Sequence, residues 1–203
     1  MSSLTLFATE PHVRLFTTWT WYLTRAAGLM ASILLVILMI TGISMFTGYQ
    51  YKFMQPLKAW ANHRTLGILF TVAILLHVIP LLFDKFIPFN VYQILLPFAS
   101  GYKHTHLLGV AVGSLGVALG VISLYMIVAI VFTSLNKIMT KYFRAWKLTH
   151  FLSYAVIVFV FFHSIMIGTD LKNGLWRALW VIANLVVLGF IGLRWRRKGS
   201  LKD

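Results

Sequence analysis

The sequence predicts an all-α integral membrane protein, a bundle of five transmembrane helices with an interfacial capping segment. Two observations carry this prediction. Of the 203 residues, 60% are hydrophobic and only 11% are charged, against about 25% charged in a soluble domain. So few charges cannot cover a water-facing surface, so lipid must be the solvent over most of the chain. The charges also fall in clumps, separated by apolar runs long enough for the ~20 residues that span a bilayer.

Taken in order, no charge lies between Arg25 and Lys52, Arg64 and Asp84, Lys103 and Lys137, Lys147 and Asp170, or Arg177 and Arg194. These gaps predict helices over about 24–48, 62–83, 107–133, 146–168 and 175–194. The last gap, Ala178 to Leu193, is short, and Arg177 lengthens it by snorkelling outward. Together the five spans make one membrane domain, residues 24–194, followed by a basic tail over 195–203. Residues 1–23 carry Phe16, Trp19, Trp21 and Tyr22 and read as an interfacial segment, since tryptophan and tyrosine favour the headgroup level. The uncharged stretch Phe86–Tyr102 contains Pro88, Asn90, Pro97, Ser100 and Gly101. Two prolines so close together argue against a span and for a segment that caps one end of the bundle. The N-terminus lacks the basic start and early apolar run of a signal peptide, so the first span is expected to act as the insertion signal.

Charge asymmetry orients the bundle. Five spans put the termini on opposite sides. One side holds Arg14, Arg25, Lys85, Lys103, Lys172 and Arg177, and the other holds the remaining twelve of the 18 basic residues. The positive-inside rule then places the C-terminus in the cytoplasm and the N-terminus outside. Helices 2 and 4 both run from inside to outside. The net charge of +14 has no polar domain on which to form a basic face, which excludes nucleic acid as a partner. The four acidic residues, Glu10, Asp84, Asp170 and Asp203, all lie outside the spans, which disfavours proton transport. There is no cysteine. Disulfides, thiolate-held iron–sulfur clusters and cysteine nucleophiles are therefore excluded, and redox chemistry would need a cofactor held by other residues.

Histidine supplies the candidate ligands. Of seven, His12, His104 and His106 lie in polar or interfacial segments and read as solvated loop residues. His63 and His77 lie on helix 2, and His150 and His163 on helix 4. Because these helices are parallel, the first members share one depth and the second members another. Fourteen residues of helix rise roughly 21 Å, about the spacing of two macrocycles stacked through a ~30 Å core. A haem iron needs two axial ligands, which facing imidazoles supply, and bis-histidine ligation suits electron transfer rather than oxygen binding. Pairing across the helices gives two haems, His63/His150 on the inner side and His77/His163 on the outer side. A lone intramembrane histidine often only bonds a neighbouring helix, but four matched in depth point to ligands. A compact zinc site would not split its ligands by ~20 Å.

The two spacings differ. Fourteen residues return an ideal helix to within about 40° of its starting face, while thirteen leave roughly 140°. Helix 4 must be distorted, or His150 must lie at a frayed end; Lys147, three residues away, favours the frayed end. Around the histidines, Gly67 sits one turn after His63 and either admits a haem edge or packs helices. Arg64, Arg144 and Lys147 lie at the inner level as propionate partners or interfacial anchors, and Lys103 and His104 are the outer counterparts. Phe70 and Phe159 lie between the levels as packing residues or electron stepping stones.

The chain resembles the ferric reductase-like transmembrane domain family, which includes the membrane parts of NADPH oxidases, ferric reductases and the haem subunit of a bacterial methionine sulfoxide reductase system. The resemblance runs over about residues 20–180. It is carried by Trp21-Tyr-Leu-Thr-Arg-Ala-Ala-Gly28, His63…His77, Ile87-Pro-Phe89, Leu96-Pro-Phe-Ala-Ser100, Thr133-Ser-Leu135, Arg144-Ala-Trp146, His150…His163 and Gly168-Thr-Asp170. The resemblance implies b-type haems, bis-histidine ligation and transmembrane electron flow. Larger relatives have six helices followed by a cytoplasmic flavin and nicotinamide module. Here five spans are expected, and the nine residues after Arg194 leave no room for that module.

The expected function is therefore a di-haem b-type cytochrome, the electron-transfer subunit of an oxidoreductase. Its donor would be a flavin-binding or other redox protein, or a quinol, with an acceptor on the opposite face. Two other readings remain open: a quinol-oxidising or haem-anchoring subunit of a larger respiratory or photosynthetic complex, and a non-redox structural membrane subunit.

Overall fold

In lipid, every backbone N–H and C=O must find its partner within the protein, so apolar runs of this length fold as helices. A computed structural model describes residues 11–84, 89–102, 106–107, 110–172 and 174–199. The helices in chain order are α1 (Pro11–Phe46), α2 (Pro56–Val78), α3 (Val91–Leu95), α4 (Gly113–Thr133), α5 (Asn136–Lys141), α6 (Phe143–Phe151), α7 (Ser153–Ile167) and α8 (Gly174–Gly199). Among the described residues, five stretches are long and apolar enough to cross a membrane: Trp19–Phe46, Pro56–Phe83, Gly113–Thr133, Phe143–Ile167 and Gly174–Arg196. The fold is the expected all-α membrane bundle, with one two-residue antiparallel pair, His106–Leu107 against Val110–Ala111, outside the spans.

The boundaries differ from the expected ones for local reasons. The helix that carries the first span, α1, already opens at Pro11. Proline suits a first helical turn because its missing N–H would be unpaired there anyway. For the same reason α2 begins at Pro56 rather than near residue 62. Its last turn, Ile79–Phe83, tightens to a 3-10 helix around Pro80, which cannot donate back into the α ladder. The third span starts at Gly113, because part of the stretch before it forms the short antiparallel pair. The last is longer than its charge-free gap, and Arg177 turns back so that its Nε donates to the Leu171 carbonyl at 3.0 Å.

Among the described residues of the proline-rich stretch, 89–102, the helix is α3, whose five residues are too short to span. Asn90 caps α3 by accepting from Gln93 N, and the Gln93 side chain returns the bond to Asn90 N. Tyr125, twelve residues into α4, donates its hydroxyl to the Leu95 carbonyl at 2.6 Å. The segment therefore runs down beside α4 as well as covering its end. Exposed Val91, Tyr92, Leu96 and Phe98 are apolar surface suited to lipid.

α1 packs along α2, α4 along α6 and α7, and α8 against α1. The core lies at mid-depth: Leu35, Met39 and Ile43 from α1, Phe70 and Ala73 from α2, Ile127 from α4, Val156 and Ile157 from α7, and Val187 from α8. Phe70, between the two histidine depths, is thus a packing residue. Lipid tails are as apolar as these side chains, so close fit and polar contacts must hold the bundle together. One such contact clamps α1 to the turn after α7. Arg25 Nε donates to Asp170 Oδ2 at 3.1 Å, Arg25 Nη2 pairs with Asp170 Oδ1, and the guanidinium lies 5.7 Å from the Trp21 ring centroid. The pair is partly exposed, so its contribution falls between a surface and a buried bridge. Asp170→Asn is expected to lower stability by about 1–3 kcal/mol, read as an earlier thermal unfolding transition in detergent.

Candidate cofactor site

The four intramembrane histidines meet in two pairs. The ring centroids of His63 and His150 lie 6.2 Å apart with planes at 56°, and those of His77 and His163 lie 6.3 Å apart with planes at 88°. A metal–imidazole bond is about 2.0–2.1 Å long, and the ring centroid lies about 1.1 Å behind its nitrogen. Two imidazoles sharing one ion from opposite sides therefore place their centroids about 6.3 Å apart. Both pairs match that separation. Among the described residues no cluster of three or more histidine or acidic side chains that could hold a metal ion forms, so these histidines meet in twos.

Hydrogen bonds decide which ring nitrogen remains available. His77 Nδ1 lies 2.8 Å from the Thr24 carbonyl of α1, and His163 Nδ1 lies 2.8 Å from the Gly116 carbonyl of α4. A carbonyl only accepts, so each Nδ1 carries the proton and each Nε2 keeps its lone pair. At the inner level His63 Nδ1 meets Thr41 Oγ1 at 3.2 Å, while that hydroxyl donates to the Leu38 carbonyl at 3.1 Å. The threonine oxygen is thus free to accept, and His63 takes the same tautomer. His150 differs: its Nδ1 is buried without a partner, and its ring lies 5.3 Å from that of Trp146. Metal-binding histidines nearly always donate their second nitrogen in this way, which fixes the ring and raises ligand basicity.

Glycines make the approach possible. A Cβ on Gly28 would fall 2.8 Å from His77 Nδ1, one on Gly42 3.2 Å from His63 Cε1, and one on Gly120 2.5 Å from His163 Nδ1. At the outer level the same device occurs twice: a carbonyl at one position and a glycine four residues later, Thr24 with Gly28 and Gly116 with Gly120. Sequence reasoning missed these residues, although a signal was present. Gly28 and Gly42 are 14 apart on α1, the same interval as His63 and His77 on its antiparallel neighbour α2.

The irregularity expected in the fourth span is present, but His150 is not at a frayed end. It lies in α6, well after Phe143, and the helix breaks beyond it at Leu152. The Leu152 N–H donates to the Thr149 carbonyl at 3.0 Å, a tightened i→i−3 bond, before α7 resumes at Ser153. The break falls between His150 and His163, whose rings both meet partners on α2 despite their thirteen-residue spacing.

The other candidates divide. Arg64, Arg144 and Lys147 are exposed at the end of the bundle nearer His63 and His150, with the Arg64 guanidinium 5.6 Å from the Trp60 centroid. The space beside Gly67 is open: a Cβ there would meet nothing within 4 Å. Lys103 and His104 lie outside the described residues. The cation that sequence reasoning treated only as the end of a span is Arg194. It is buried, donates to the Tyr154 hydroxyl and lies 3.8 Å from the Phe46 centroid.

A family model described as ferric reductase like transmembrane component matches residues 27–162. The chain belongs to this family. The match takes in His63, His77 and His150 and ends one residue before His163. No curated protein and no solved structure matches the chain. Membership of this ferric reductase-like family suggests a transmembrane electron-transfer role. Within the family fold, the glycine contacts are directly testable. Gly28→Ala and Gly120→Ala are expected to destabilise the protein by about 1–3 kcal/mol, the usual cost of overpacking. Gly189→Ala, where a Cβ meets nothing within 4 Å, should be neutral or slightly stabilising in the same thermal measurement.

Proposed function

We propose that this chain is a di-haem b-type cytochrome that carries electrons across the membrane between a donor on one face and an acceptor on the other. The single observation that carries the reading is the two imidazole pairs, each at the separation that two axial ligands of one ion require. When bound, a haem with two imidazole ligands supplies a one-electron carrier without an open coordination position.

The chain's own residues then have definite tasks. His63 and His150 would hold the inner group, and His77 and His163 the outer one. The Thr24 and Gly116 carbonyls and the Thr41 hydroxyl orient three of the four rings. Gly28, Gly42 and Gly120 let those rings sit against neighbouring helix backbone, and the open space beside Gly67 leaves room for a macrocycle edge. Arg64, Arg144 and Lys147 stand at the inner rim, where they would meet propionates. The helices keep water away from the path between the two depths, about four turns apart.

The site lies in the membrane domain 24–194, with the C-terminus in the cytoplasm and the N-terminus outside, in a bacterial cell membrane. The donor is a flavin-binding protein or a quinol, and the twelve basic residues assigned to the inner side suit an acidic protein partner. The purified protein is expected to show b-type bands in a reduced-minus-oxidised spectrum, with two haems per chain. His77→Ala and His163→Ala should each remove one haem and spare the other. Colourless protein, or haem content unchanged in both variants, would sink the reading.

A further inference from the structure

The two histidine levels share a separation but not an electrostatic setting. At the outer level both ligands donate Nδ1–H to a backbone carbonyl at 2.8 Å. Such bonds push electron density toward Nε2 and strengthen it as a ligand, which favours the ferric state. The outer cation Arg25 is neutralised by Asp170. At the inner level His63 meets only a hydroxyl, at 3.2 Å, and His150 Nδ1 has no partner.

Arg194 adds a charge of the opposite consequence. It stands near the cytoplasmic end of α8, where turning outward would place it in water, as Trp195 and Arg196 beside it do. Instead it is 7% exposed. Its guanidinium lies 3.8 Å from the Phe46 centroid, 5.0 Å from that of Phe151 and 5.3 Å from that of Tyr154, and it donates to the Tyr154 hydroxyl. Phe151 directly follows His150, and Tyr154 is one turn further on. The charge therefore sits beside the junction of α6 and α7 that carries His150. The described carboxylates, Asp84 and Asp170, both lie on the outer side, so no acid among the described residues offsets it. Burying a guanidinium without a carboxylate costs stability, and cations retained at depth in a membrane protein generally serve function.

We propose that Arg194, together with the unequal hydrogen bonding of the ligands, poises the two levels differently, with the inner site at the higher reduction potential. The inference rests on the di-haem reading. A fixed positive charge in a low-dielectric site favours the iron state of lower charge, the ferrous one. Weak donation at Nδ1 of the inner ligands acts in the same direction, and second-shell bonding and burial are known levers on haem potential. At equilibrium the inner level then fills first, and Arg194 is the positioning residue that sets this order.

Redox potentiometry of the purified holoprotein tests it. Two waves are expected, and the one that survives in His77→Ala, the inner site, should be the higher. Arg194→Gln should lower that wave by at least about tenfold in the reduced-to-oxidised ratio, or about 59 mV for one electron. The outer wave should stay in place, and Arg194→Lys should retain most of the wild-type value. An inner wave below the outer one, or one that Arg194→Gln leaves in place with both haems bound, overturns the proposal. If Arg194→Gln does not fold, the order of the waves in wild type and His77→Ala still decides. Protein with no haem would instead overturn the di-haem reading on which this depends.

Discussion

A neutral imidazole has one nitrogen that donates and one that accepts, and inside a membrane there is no water to satisfy either. Much of this bundle is arranged around that constraint. Three of the four intramembrane histidines donate Nδ1–H to α1 or α4, at Thr24, Thr41 and Gly116. What remains is a lone pair on each of these three rings, and the four rings face one another in twos. Two acceptors cannot satisfy each other, which fits the proposed role of each pair as ligands of one electron-poor ion.

The packing follows from the same requirement. α2 must lie close enough to α1, and α7 to α4, for a ring nitrogen to reach a main-chain carbonyl. That closeness is available where a glycine stands beside the ring, at Gly28 and Gly120, and Gly42 likewise stands beside His63, which meets the Thr41 hydroxyl. The fourth span breaks at Leu152, between its two histidines, and both of them meet partners on α2. Between the two levels, tightly packed aliphatic side chains fill the bundle. The Arg25–Asp170 pair closes the outer end, and Arg194 is turned into the inner end among aromatic rings.

Much of this was legible in the sequence because membrane insertion leaves a coarse mark. Charge-free gaps gave the five spans, and the histidine intervals gave the two pairs and signalled that the fourth span could not be a regular helix. Less legible were features that depend on contacts between helices. Proline at a helix start moved two boundaries earlier than the charges implied. Glycines 28, 42 and 120 read as ordinary small residues until their neighbours were known, although the interval of 14 on α1 matched that on α2. Arg194 is indistinguishable in sequence from the interfacial cations around it. Only its burial against Phe46 and Tyr154 separates it from Arg196, which is exposed as expected.

The central claim is that each histidine pair binds one iron from both sides, and electron paramagnetic resonance of the oxidised protein tests it most directly. Two axial imidazoles give a low-spin ferric signal, and perpendicular rings leave two iron orbitals nearly equal in energy, which widens the anisotropy. The outer pair, with planes at 88°, should therefore give the more anisotropic low-spin signal, and the inner pair, at 56°, the less anisotropic one. The account predicts these two signals and no high-spin iron in freshly purified protein, with the more anisotropic signal absent from His163→Ala. A dominant high-spin signal in the wild type would mean that at least one iron has an open axial position, and would contradict it.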